Sequence, residues 1–240
     1  MAKRLLDRQA RLLEFLTSAE AIFGDRCNAL RDPILHGFDR ALLHIEARFS
    51  HDKRMEKIAA VFPKTFGLLG DDRDAVVREF TQACPPVDIG RLENARQFHD
   101  FLSSRWENQP PPLPYLADVT ACELACAQVR LDAGDPSAAV KSPSLAGTSE
   151  IRRKPGIALL RTRFDIRPVF EGKGGDLSPV QRMVTLAISC RAGELEIFEL
   201  SPEIFDLLGA LDAWAAVDEL PDAEGLISEL GKMELLEVRR

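Results

Sequence analysis

Cys122 and Cys126 stand four residues apart in a helically periodic stretch, which puts both thiols on one helix face. Two thiolates at that spacing could supply half of a zinc site. No second cysteine pair and no histidine pair stands nearby at metal-ligand spacing, so two small buried hydrophobes is the simpler reading. A disulfide between adjacent helical turns would lie near the upper limit of bridging geometry. The histidines are His36, His44, His51 and His99. His44 and His51 are two helical turns apart, with a helix boundary expected near Ser50 between them. His99 and Asp100 are sequence neighbours and point in different directions on a helix. Acid–base chemistry needs a histidine beside a carboxylate in a cleft, and these patterns supply none. The residues predict a chain that is not an enzyme, with no catalytic residues and no metal or cofactor of its own.

Composition narrows the classes further. The 240 residues suit one or two domains, and 45% hydrophobic with 29% charged residues is the balance of a chain that buries a core. A net charge of −7 gives no general attraction to nucleic acid or to an anionic membrane. No apolar run approaches the ~20 residues of a spanning helix. Lys3, Arg4 and Asp7 bring charge too early for a signal peptide's apolar segment. The cysteines (Cys27, Cys84, Cys122, Cys126 and Cys190) are odd in number and scattered, and read as free thiols of a reducing compartment. A cytoplasmic protein is the expectation.

The elements that must position these residues are helical in the first half. One helix is expected over residues 3–23, a second over 38–49 and a third from Asp52, ended or kinked at Pro63. Gly70 closes that segment, and Asp71-Asp72 suit the cap of the next helix, which stops at Cys84-Pro85-Pro86. Residues 89–106 and 115–131 complete an α-helical domain over 1–131, with Pro110 to Pro114 an extended stretch between them. Residues 132–150 are rich in Gly, Pro, Ser and Ala and read as a linker. Arg152-Arg153-Lys154 is a basic run at its exit, readable as a contact to nucleic acid or to an acidic patch on a partner, and more simply as solvated.

A second domain is expected over 151–240. Strands are read over 157–164, 166–170, 184–189 and 194–200, with a hairpin at Arg191-Ala192-Gly193 and a turn at Lys173-Gly174-Gly175. Ser201-Pro202 opens a helix that runs to Val217, Pro221 opens another that Gly231 ends, and Leu235 to Val238 returns as a strand. That order resembles a winged-helix module. From Asp176 to Val238 there are three basic residues against fourteen acidic ones, a net charge of −11. Such a surface repels phosphate, so the module is expected to take a peptide or a protein, and nucleic acid is not the expected ligand. The fold class is α+β, a helical domain followed by a winged-helix-like, peptide-recognition domain.

Several motifs fall in a recognisable order. They are Asp52-Lys53-Arg54-Met55, Val61-Phe62-Pro63, Leu68-Leu69-Gly70, Cys84-Pro85-Pro86, Phe98-His99-Asp100-Phe101-Leu102, and Leu113-Pro114-Tyr115-Leu116-Ala117-Asp118-Val119 with Glu123. Over residues 50–131 the pattern resembles the HvfC-like bacterial family, catalogued under a DNA-binding-domain name. Its members are similar to partner proteins of multinuclear non-haem iron oxidative enzymes that modify cysteine-containing ribosomal peptides. The methanobactin and thiaglutamate partners are related cases, and an N-terminal extension of about fifty residues makes a TglI-like partner the nearer match. The resemblance implies a heterodimer with such an enzyme, which carries the iron, and capture of a precursor peptide by the C-terminal domain. It implies a partner interface at Tyr115, Asp118, Glu123 and Arg54. Tyr115 and Asp118 have an alternative reading as bundle packing and helix cap.

A peptide would join such a domain by adding a strand to a sheet edge. The strand over 194–200 is the candidate edge and the helix over 223–231 the candidate wall. Leu195, Ile197, Glu199, Leu226, Ile227 and Leu230 are the candidate peptide contacts. The five apolar residues are equally readable as core. Two other readings stay open, a DNA-binding transcription regulator and a scaffold with no peptide ligand.

Overall fold

A computed structural model describes residues 2–24, 37–133, 150–171, 178–191, 193–220 and 224–239. Residues 28–36 of the polar turn that Asn28 to Gly37, with Pro33, predict lie outside them, as do the expected turn at 173–175, the helix start at 221–223, most of the 132–150 stretch, His36 and Cys27. The chain mixes helix with two small antiparallel sheets, an α+β arrangement. It forms two units, residues 1–120 and 121–240, and the division falls inside the helix Leu116–Asp132.

The first unit is helical. α1 (Ala2–Leu16) and α2 (Ala19–Phe23) stand where one helix was expected. The break comes at Thr17-Ser18. The Thr17 hydroxyl donates to the Leu13 carbonyl, and Ser18 Oγ accepts from the Ala21 N–H at 3.1 Å. Side chains thus take backbone groups that a continuous helix would pair. α3 (Arg40–Ala59) shows the opposite departure, one helix where two were expected. No proline or glycine lies between Phe49 and Asp52 to break it. Unbroken register brings His44 and His51 to one face. His44 Nδ1 lies 2.9 Å from the Ala21 carbonyl, and His51 meets the Phe23 ring edge-on at 5.1 Å. Both rings seat α2, beside an apolar cluster of Phe15, Ala21, Ile22, Leu43 and Ala47.

Pro63 opens α4 (Pro63–Leu68), where its missing N–H costs no bond. A 3-10 turn, Gly70–Asp72, leads to α5 (Arg73–Ala83). Asp72 occupies the cap position but makes no side-chain cap bond, unlike the expectation for Asp71-Asp72. α6 (Arg91–Asn108) and α7 (Leu116–Asp132) follow. The core is aromatic. The fully buried Phe98 ring lies 5.6 Å from Phe62, stacks on Phe66 at 5.4 Å and takes Phe80 edge-on at 5.0 Å.

The second unit runs β1 (Glu150–Arg153), β2 (Ala158–Asp165), α8 (Arg167–Glu171), β3 (Val180–Arg191), β4 (Glu194–Leu200), α9 (Pro202–Ala210), β5 (Ala215–Ala216), α10 (Glu224–Lys232) and β6 (Leu236–Arg239). One sheet has the order β5-β1-β6 and the other β2-β3-β4. The basic run at 152–154 is therefore no loose linker exit, because Arg152 and Arg153 belong to the middle strand of the first sheet. The neighbouring Ile151 is fully buried, and pairing on both edges fixes the strand. β1 also explains why α9 stops at Ala210 rather than Val217. The Arg153 N–H donates to the Leu211 carbonyl at 2.7 Å, and Ile151 pairs with Ala215, drawing that segment into the sheet. Residues 166–170, expected as a strand, are instead Ile166 and most of α8, whose first turn accommodates Pro168. Ile151, Ile157, Ala187, Leu200, Leu208, Leu211, Ile227, Leu230, Leu235 and Leu236 form the core.

Gly231 does not end α10. The left-handed residue is Glu234, at φ 57°. The Leu235 N–H donates to the Leu230 carbonyl at 3.0 Å and the Glu234 N–H to the Gly231 carbonyl at 3.1 Å, the Schellman pattern that normally carries glycine. Glu234→Gly is expected to stabilise the second unit by up to about 1 kcal/mol, read in urea denaturation, since relief of the left-handed backbone outweighs loss of the Arg191 ion pair. Phe98→Ala is expected to cost the first unit about 3–5 kcal/mol and to leave the unfolding of the second unit in place.

Candidate functional site

β3 is the middle of its sheet, so β4 is an edge. Arg191 pairs with Glu194 across a tight turn, where Gly193 takes φ 87°, a conformation free of steric cost for glycine alone. The register then sorts the side chains. Ile188 lies opposite Ile197, Leu186 opposite Glu199 and Cys190 opposite Leu195, so Leu195, Ile197 and Glu199 share one sheet face. Ala187, opposite Phe198, lies on the other face, as does Leu200, and both Ala187 and Leu200 enter the core cluster.

Leu195 and Ile197 are half-buried, as is Leu226. Ile227 and Leu230, at 5% and 0% exposed, belong to the core with Ala187 and Leu200. Their assignment as ligand contacts is corrected, because α10 turns them inward under the opposite sheet face. The six candidate residues therefore do not line one groove. Glu199 is also occupied. Arg182 donates to its two oxygens at 2.6 and 2.9 Å, and Arg167 lies 2.6 Å away. Asp165 takes Arg167 at 2.6 Å and Arg182 at 2.8 Å, closing a four-residue network over β2, α8, β3 and β4. The Arg167 hydrogen bond holds the Asp165 carboxyl well below the usual range, and the Arg182 hydrogen bond lowers that of Glu199.

Arginines answer the acids of 176–238 throughout this unit. Arg152 pairs with Glu237 at 2.6 Å, Arg161 with Asp206 at 3.1 Å, Arg191 with Glu234 at 3.1 Å, and Arg153 with Asp212. Arg239 pairs with Glu150, and Arg152 and Arg239 each place a guanidinium over the Trp214 ring at 4.7 Å. Residues 150–240 carry twelve basic and seventeen acidic side chains, a charge of −5. The −11 counted over the shorter stretch overstates the acidity of the folded unit.

The residues of the second candidate site also separate. Tyr115 and Asp118 are half-buried, whereas Glu123 is 4% exposed and Arg54 is buried. Arg54 and Glu123 cannot form the docking surface directly. Cys122 and Cys126 are free, buried thiols. The hydrogen bond between them, with burial, pushes the Cys122 thiol up, so it stays protonated. Among the described residues no group of three or more His, Cys, Asp or Glu is placed to hold a metal. No described helix is long and apolar enough to cross a membrane.

What Arg54 does instead is hold a loop. Its Nη1 donates to the Cys84 carbonyl at 2.9 Å, its Nε to Asn94 Oδ1 at 2.8 Å and its Nη2 to Gln97 Oε1 at 2.5 Å, and its guanidinium lies over the Phe80 ring. Asn94 Nδ2 donates in turn to the carbonyls of Asp88 (2.9 Å) and Gly90 (2.7 Å). Gln97 Nε2 holds the Pro85 carbonyl, and Lys57 Nζ the Ile89 carbonyl, both at 2.9 Å. Asp88 Oδ1 accepts from the Gly90 N–H at 2.6 Å. The segment between α5 and α6 is thus clamped by side chains, while Val87 and Ile89 stand 74% and 86% exposed. Pro85-Pro86 marked this stretch in the sequence, but the clamp needs Arg54 and Lys57 of α3, 30 and 32 residues from the carbonyls they hold, beside Asn94 and Gln97 of α6.

The depressed carboxyls of Asp165 and Glu199 contribute stability above the ordinary carboxylate range and lose it as pH falls through their lowered values. The wild-type thermal midpoint is expected to drop between about pH 4.5 and 2, and Asp165→Asn to flatten that acid limb. Equal acid limbs in the two proteins would show that the network adds no pH-dependent stability.

Set against models of known protein families and against curated proteins, the chain matches none.

Proposed function

We propose that this chain is a non-catalytic partner subunit. It captures a ribosomally made precursor peptide and forms a heterodimer with a multinuclear non-haem iron oxidative enzyme that acts on the peptide's cysteine. The observation that supports peptide capture is β4, a seven-residue strand that, among the described residues, is hydrogen-bonded to a neighbour on one side. A peptide adding there gains main-chain hydrogen bonds, and alternate side chains enter the half-buried surface of Leu195 and Ile197. The sequence of α9, β5, α10 and β6 supports a winged-helix-like recognition domain behind a helical domain. Iron and redox chemistry belong to the partner in this reading. A DNA regulator gains no support, because α10 carries Lys232 as its sole basic residue against Glu224 and Glu229.

Tagged chain purified from its native host is expected to retain an iron-containing protein of enzyme size in stoichiometric amount, and to turn nothing over without it. A chain that comes down alone and metal-free from cells expressing the neighbouring genes would sink the proposal. Leu195→Ala with Ile197→Ala is expected to weaken precursor capture at least tenfold, measured by fluorescence anisotropy, with the heterodimer intact. Unchanged capture would move the peptide to another surface.

A further inference from the structure

We infer that α2 is an acid-sensitive latch, clipped to α3 at neutral pH and released when His51 takes up a proton. The latch concerns this chain alone and stands or falls separately from the function proposed above.

Two histidines on one face of α3 hold α2, and they hold it differently. His44 Nδ1 lies 2.9 Å from the Ala21 carbonyl. A carbonyl can only accept, so Nδ1 carries the hydrogen and donates it from the neutral ring and from the cation alike. Arg48 Nε donates to the Ile22 carbonyl at 3.2 Å. These two side chains take carbonyls of the last turn of α2, which a helix cannot pair by itself. Five residues do not form a stable helix alone in water, so α2 depends on such contacts.

His51 contributes a ring. It is 8% exposed and packs against Phe23 of α2, with ring centroids 5.1 Å apart. A positive charge is unwelcome there. Arg48 and Arg54 stand one turn to either side of His51 on α3. From α5, Arg78 lies over the Phe23 ring at 4.8 Å, so the π surface that could receive a cation already serves one. Asp52, the neighbouring carboxylate, is exposed to solvent. Burial holds the His51 pKa below the ordinary imidazole value, against the pull of Asp52 and with the help of Arg54.

Released into water, the imidazole takes a proton more readily than when docked. Docking is therefore at full strength above about pH 6.5 and weakens as pH falls below it, by at most about tenfold per pH unit for one proton. Release uncovers Ile22 of α2 and Leu43 and Ala47 of α3, which the docked state buries together.

Amide hydrogen exchange of the full chain from about pH 7.5 to about 5, corrected for the intrinsic pH dependence of exchange, tests the latch. Protection of the α2 amides is expected to fall severalfold, and by no more than about thirtyfold, while α6 of the same unit stays protected. His51→Phe keeps a ring against Phe23 without a titrating group and is expected to flatten the profile. His51→Gln serves the same purpose if the larger ring does not fit. His44→Ala is expected to lower α2 protection by one factor at every pH, because the bond it removes is the same in both charge states. A flat wild-type profile overturns the latch, as does a profile as steep as wild type in both His51 variants. Loss of protection in α6 together with α2 also overturns it, since the whole unit would then be opening.

Discussion

A buried guanidinium satisfied by neutral oxygens organises the first unit. Arg54 meets two side-chain amides, one backbone carbonyl and the face of Phe80, and among the described residues no carboxylate pairs with it. Burial pulls its pKa down to about 10, still far above neutrality, so the charge persists inside the protein. A charge in that position is tolerable only if its donors are filled. The chain gives each of the three nitrogens an acceptor, from α6 and from the end of α5, which ties three separate segments to one planar group. The rigidity of the 84–90 segment is the outward expression of that inward requirement. Lysine could not substitute, because it lacks the fork that reaches Asn94, Gln97 and Cys84 together.

The second unit solves a different electrostatic problem. Its acids are numerous, and the arginines that pair with them come from β1, β2, α8, β3 and β6. Most of these pairs are exposed, and exposed pairs contribute little individually. Their effect is to remove charge from the surface. Glu199 shows the consequence for recognition, since a carboxylate already bonded by Arg167 and Arg182 has little left to offer a basic ligand. A peptide on β4 would be selected by apolar contact and strand geometry more than by charge.

Local signals reached some of this architecture and missed the rest for identifiable reasons. Pro63, Ser201-Pro202 and the Gly193 turn act through their own backbone, and they stand where their chemistry suggests. Helix ends set by neighbours were misplaced. Ser18 interrupted a continuous apolar periodicity, while Ser50 did not. β1 was invisible because four residues with three charged side chains carry no strand pattern, and what makes them a strand is pairing with residues more than sixty positions away. The sites divide in the same way. Leu195 and Ile197 could be placed on an edge strand by alternation alone. The core role of Ile227 and Leu230 needed the packing of α10, and the clamp around Arg54 needed α3 and α6 side by side.

The placement of β1 also bears on how the chain is made. Its partners are β5 and β6, and Glu150 pairs with Arg239 at the very end of the sequence. On a ribosome adding about 5–20 residues per second, β1 emerges roughly 4–18 seconds before β6 exists. Until β5 is made both edges of the strand are open, and the edge that β6 closes stays open longer. The charges at Glu150, Arg152 and Arg153 then serve as a safeguard, keeping an unpaired strand in water until β5 and β6 arrive to close the sheet around it.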